Sequence, residues 1–182
     1  MTQAAALISK CFLLSMLILF PWHIQGEENS RIPTFTPPTK WVTVDASLLA
    51  PSVKVSFSTK SQKDFNPSIN LSEEKTTLTC KEYIKAVQKM YESDCSNRWR
   101  NLGNIETKAG KALLTSIETE TPLGKARIFQ LFFLENGTAY IVTAAALQEE
   151  FGMYQKTFLD SFASFCFIPS KKDTDLQAEK AK

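Results

Sequence analysis

Hydrophobic positions change their rhythm several times along the 182 residues, and each rhythm predicts a different element. Residues 11–22 form a nearly unbroken apolar run behind Lys10. As a helix this run spans about 18 Å, short of a hydrocarbon core of roughly 30 Å, so it suits the apolar region of a signal peptide. Cleavage is expected after Gly26, with Ile24 an imperfect fit two positions before it. The alternatives are a retained membrane anchor or a buried helix of the fold.

Residues 27–39 are polar with three prolines and read as an extended linker. Alternation then predicts a short strand over residues 40–44 and another over 53–58, with Val53, Val55 and Phe57 on one face. A polar loop, residues 59–66, ends at Pro67 and leads to a brief strand at residues 68–71. Thr79 followed three residues later by Glu82 has the spacing of a capping box. Ile84, Val87 and Tyr91 recur behind it at helical intervals, which predicts an amphipathic helix over residues 80–92.

Two strands, residues 99–107 and 112–121, are expected to join at Ala109 and Gly110. Residues 126–135 and 138–144 flank Asn136-Gly137, the signature of a two-residue type I′ hairpin. That turn fixes the register, setting Phe133 opposite Tyr140, Phe132 opposite Ile141 and Leu131 opposite Val142. Phe129, Leu131 and Phe133 make one face apolar; Ile128, Phe132 and Leu134 do the same for the other. A hairpin apolar on both faces must be covered on both, which implies three layers. Residues 147–165 supply one cover, a helix with Phe151, Tyr154, Phe158, Phe162 and Phe165 in a single stripe. The last residues, 169–182, are charged and read as a flexible tail. The fold class expected is α+β: a single-domain, three-layer α/β/α sandwich around a central, mainly antiparallel sheet.

Composition narrows the chemistry. Twenty-one basic and nineteen acidic residues nearly cancel, so no field steers the chain toward nucleic acid. Membrane contact is expected only through the N-terminal segment, if it stays uncleaved. The single histidine, His23, lies within that segment, and its removal would leave the mature chain without the usual general base or zinc ligand. No phosphate-binding glycine loop or Cys-x-x-Cys pair occurs, so neither a cofactor nor a metal is expected. The adjacent carboxylates Glu73-Glu74 and Glu149-Glu150 are weak cation candidates at best.

Cys80, Cys95 and Cys166 remain after cleavage. Cys80 and Cys95 bracket the predicted helix, about 20 Å apart, too far to bridge. They stay as buried thiols, or one of them pairs with Cys166, and Cys95 with Cys166 is the pair expected in an oxidising compartment. The candidate partner patch is Arg98, Trp99 and Arg100, two arginines beside a tryptophan that suit an anionic or planar group. The alternative is that Trp99 anchors a strand while the arginines are solvated. Gln130 facing Thr143 puts a polar pair on an otherwise apolar hairpin face.

Several phrases carry a family likeness: residues 66–71 (NPSINL) before the helix start LTCKEY, the later run TAYIVT at 138–143, and FLDSF at 158–162. They resemble the PsbP/DcrB-like superfamily over about residues 40–168. The resemblance implies an α/β/α sandwich and a non-catalytic role exercised by binding. Its bacterial envelope branch is the closer comparison, since no plastid transit peptide is seen. The function expected is therefore an exported periplasmic or envelope accessory module of a bacterium, with another envelope protein as partner. The alternatives are a membrane-tethered structural protein that keeps its N-terminal segment, and an enzyme using Cys95 or Cys166 as nucleophile.

Overall fold

The computed structural model describes residues 31–169. The expected signal segment, residues 1–26, and the tail beyond Pro169 lie outside the described residues, as does the start of the proline-rich stretch. Among the described residues no helix is long and apolar enough to cross a membrane.

The chain divides into two units, Phe35–Cys166 and a smaller one formed by the segments on either side of it. In the smaller unit, β1 (Arg31–Thr34) pairs with β9 (Cys166–Pro169) in a two-stranded sheet, and the Arg31 guanidinium lies 4.9 Å from the Phe167 ring centre. The proline-rich stretch thus holds a strand where a linker was expected. Its Phe35 is buried in the main unit, edge-on to Phe57 at 5.8 Å.

The main unit contains β2 (Val42–Thr43), a single 3-10 turn (Ala46–Leu48), β3 (Val53–Ser58), β4 (Ser68–Lys75), α1 (Cys80–Glu92), β5 (Arg98–Thr107), β6 (Gly110–Thr121), β7 (Gly124–Glu135), β8 (Thr138–Leu147) and α2 (Gln148–Ala163). Seven strands form one antiparallel sheet in the order β2-β3-β4-β8-β7-β6-β5. The β7–β8 hairpin has the predicted register, with Phe132 against Ile141 and Phe133 against Tyr140. Asn136 and Gly137 both have positive φ, 48° and 69°, as a type I′ turn requires. The hairpin sits inside the sheet, and each neighbouring strand extends it.

Helices cover both faces, as an apolar hairpin demands. Phe132 and Ile141 pack with Tyr83 and Ile84 of α1. On the opposite face Phe129 meets Phe151 at 4.7 Å, and Phe133 meets Phe165 at 5.6 Å. The main unit is therefore the α+β, three-layer arrangement expected. Phe151, Phe158, Phe162 and Phe165 are fully buried, so the aromatic stripe is the core of the α2 layer. The capping box of α1 is complete: Thr79 Oγ1 accepts from the Glu82 amide, and Glu82 accepts from the Thr79 amide at 2.9 Å. The far end of α2 is held by backbone bonds from Lys108 to Ala163 and from Ala109 to Phe165, which tie it to the β5–β6 turn.

β4 runs four residues beyond the predicted strand, into Ser72, Glu73, Glu74 and Lys75. Pairing with β8 through Lys75 opposite Thr138 holds this polar extension in the sheet. Its carboxylates are already engaged: Glu73 pairs with Lys54 at 3.4 Å, and Glu74 accepts from the Tyr83 hydroxyl at 2.6 Å. Glu149 and Glu150 are committed too, to Lys63 at 3.2 Å and to the Ser61 hydroxyl.

Candidate functional site

The partner patch predicted from sequence falls on β5, the strand at one edge of the seven-stranded sheet. The chain enters it through a tight turn after α1. There the Asp94 carboxylate accepts from the Ser96 amide at 2.9 Å, and the Asn97 side chain donates to the Tyr91 carbonyl. Hydrogen bonding to the charged form holds the exposed Asp94 carboxyl below its usual range, the Ser96 side chain being the largest cause and its amide the next. Residues 98–101 then pair regularly with β6, from Arg98 opposite Glu118 to Asn101 opposite Thr115. A bulge follows between Asn101 and Gly103. Gly103 takes φ +92° there and donates its amide to Asn101 Oδ1 at 2.7 Å, a conformation that favours glycine.

Strand alternation splits the predicted patch. Arg98 and Arg100 project to the α2 face and are exposed, whereas Trp99 turns to the α1 face and packs half-buried against the cluster around Tyr83 and Phe132. The three side chains therefore do not form one clasp. Trp99 anchors the strand, and the arginines form a pair of their own.

That pair stands beside a filled ion pair. Buried Glu118 lies between Arg98 and Arg127 in the sheet register, and Arg127 reaches it at 2.9 Å. The Arg127 guanidinium also lies 5.5 Å from the Phe151 ring centre. Since Arg127 satisfies Glu118, Arg98 and Arg100 have no ion-pair partner among the described residues. The result is two exposed cations, two residues apart, on a strand that among the described residues is paired along one side only.

The cysteines are not joined. Cys80 and Cys95 are exposed and Cys166 is half-buried, and all three are free thiols. The expectation of buried thiols is thereby corrected, and the possible Cys95–Cys166 bridge is not formed in this structure. Cys95 precedes the start of β5, while Cys166 follows Phe165, whose carbonyl is bonded at the far turn of that strand. Ten residues of strand separate the two ends by about 30 Å, well beyond disulfide reach. Among the described residues no group of three or more His, Cys, Asp or Glu side chains is arranged to hold a metal. An open depression of about 550 Å³ lies at the β6–β7 turn and the start of α2. Its charged members Lys125 and Glu149 are already paired, with Glu120 and Lys63.

Sequence reasoning missed a polar row on the α1 face. Ser56, Asn70, Thr143, Gln130, Thr115 and Asn101 lie side by side across six strands. The row runs between an apolar cluster under α1 and a second around Phe65, Ala126 and Leu147. The Gln130 amide donates to Thr143 Oγ1 at a long 3.4 Å, and its oxygen, though buried, has no partner. The Gln130–Thr143 pair was visible in the hairpin register. The other members need the order of all seven strands.

No protein-family model matches the chain, and no curated protein is detectably similar to it in sequence. Solved structures do resemble it. LpqN of Mycobacterium tuberculosis, a protein involved in cell envelope biogenesis, superposes with a TM-score of 0.57 at 12% identity, over 80% of this chain and 88% of that one. PA94 of Pseudomonas aeruginosa gives 0.54 at 10% identity, over 76% and 99%. The cyanobacterial PsbP protein of Synechocystis sp. PCC 6803 gives 0.47 at 14%, over 82% and 100%. At such identities a likeness establishes fold and nothing finer. The chain shares its fold with LpqN and PA94.

Proposed function

We propose that this chain is an exported, non-enzymatic accessory module of a bacterial envelope that works by protein–protein contact. The observation that carries the reading is the edge strand β5, which presents Arg98 and Arg100 without an ion-pair partner among the described residues. An unprotected strand edge is a ready template for another chain, and uncommitted arginines are common anchors at interfaces. Two further points support it: the signal-like pattern of residues 1–26, and the fold shared with LpqN, a protein involved in cell envelope biogenesis.

The test is site-specific photo-crosslinking in intact cells. A crosslinker replaces Leu102, an exposed residue of β5, or in a control Lys85, on the exposed face of α1. The expected result is one dominant envelope protein attached through position 102 and absent from position 85, with the chain recovered outside the cytoplasm and beginning near Glu27. A chain that remains in the cytoplasm, or equal capture from both positions, contradicts the reading. Recovery from membranes with Met1 retained favours the tethered alternative.

A further inference from the structure

We propose that β5 takes up an extended acidic segment of the partner as an eighth strand, with acidic side chains at alternating positions over Arg98 and Arg100. The proposal rests on the protein-contact reading above and names the chemistry of what β5 receives.

The two edges of the sheet differ. β2 is two residues long and offers almost no ladder, whereas β5 is ten residues long and, among the described residues, pairs only with β6. In a strand paired on one side, alternate N–H and C=O groups point outward and can hydrogen-bond an added strand. Such a strand repeats with the period of β5, so its alternate side chains stand over the same face. Residues directly opposite come within about 4.5–5.5 Å between Cβ atoms, close enough for an acid to meet an arginine.

Charge selects among possible strands. Arg98 and Arg100 share the α2 face, and Arg127 has already neutralised the buried Glu118 beside them. A segment with acidic residues at n and n+2 satisfies both arginines; one with lysines there meets like charge. The intervening residue falls on the other face beside half-buried Trp99, where an apolar side chain extends the cluster under α1. The partner pattern is thus acidic, apolar, acidic.

Local geometry sets the length. The bulge at Asn101 and Gly103 interrupts the ladder, so the regular docking stretch is residues 98–101. A second copy of β5 fits poorly. Its one carboxylate, Glu106, lies beyond the bulge opposite Lys111 and, two residues on from Asn104 opposite Leu113, faces α1, while the arginines face α2. An antiparallel copy would therefore put the charges on opposite sides of the joined sheet.

The test uses the full chain and fluorescent peptides. One alternates glutamate with valine, one has the same composition with the glutamates grouped, and one alternates lysine with valine. Binding is followed by anisotropy, and its location by amide hydrogen exchange. The alternating glutamate peptide should bind tightest and slow exchange at β5. The R98E/R100E variant should weaken it about five- to thirtyfold, the range expected for two exposed ion pairs, and shift preference to the lysine peptide. R98K/R100K should keep most of the binding, and unchanged melting curves would show that both variants fold. Equal affinity for the grouped peptide, or protection away from β5, overturns the proposal. So does self-association that R98E/R100E abolishes, which would make a second copy the occupant. Envelope capture through position 102 without the peptide preference would refute the strand inference and leave the accessory role standing. Peptide binding as expected, with no capture in cells, would do the reverse.

Discussion

Gln130→Met should make the protein more stable, although it removes a hydrogen bond from the centre of the sheet. Gln130 is 4% exposed, flanked in register by Thr115 and Thr143, and its amide has one side-chain partner at 3.4 Å. That length exceeds the 2.7–3.2 Å of a good N–H···O bond, so its loss costs at most about 1 kcal/mol. The other amide atom is buried and unpartnered, a defect worth about 1–3 kcal/mol. Exchanging the amide's oxygen and nitrogen does not help, since Thr143 then accepts nothing and the nitrogen becomes the orphan. Methionine is unbranched, of similar reach and free of that penalty. The net expectation is a gain of about 0.5–2 kcal/mol, a rise of roughly 2–6 °C in melting temperature for a chain of this size. Gln130→Met with Thr143→Val should gain at least as much, because both polar partners leave together. Urea and thermal melts of the two variants are the assay. A loss of more than about 1 kcal/mol in Gln130→Met would show that something satisfies the amide, and that the polar row is a site in use.

Phe158→Ala should cost about 3–5 kcal/mol, a large part of a typical domain's stability. The side chain is fully buried and touches Trp41, Phe151 and Tyr154, so chemical denaturation should show a much lower midpoint with little change in slope. The Thr79 side-chain and backbone hydrogen bonds hold the exposed Glu82 carboxyl below its usual range. Its contribution is therefore present above the unfolded value near pH 4.3 and lost as pH falls through the lower folded value. The advantage of wild type over Glu82→Gln in urea midpoint should shrink between neutral and strongly acidic pH. Tyr83 has the opposite sign: burial first, then its bond to Glu74, pushes its phenol far above the usual range. Its contribution is complete below about pH 10 and fades above it, so the stability difference from Tyr83→Phe should narrow only in alkali.

What the sequence could disclose depended on whether the deciding contact was local. The capping box at Thr79 and Glu82, the Asn136-Gly137 turn and the aromatic stripe of α2 are each settled within a few residues, and all three were legible. Two apolar faces on one hairpin implied the three layers before any strand order was known. Longer-range pairings were not legible. β1 carries Pro33 and looks like linker until β9 supplies its partner. The last four residues of β4 are polar and join the sheet through β8. Of the candidate site, the strand and its two arginines could be named from the sequence. Alternation alone would have sent Trp99 to the other face, and Arg127 becomes relevant only once β6 brings Glu118 between it and β5.

The most direct test of the accessory role is photo-crosslinking from Leu102 in intact cells, read by mass spectrometry beside the Lys85 control. The account predicts a single envelope protein captured through β5, with capture lost in R98E/R100E. The same product from Lys85, or no envelope protein captured through position 102, would contradict it; capture that survives the double charge reversal would refute the arginines' part in the contact.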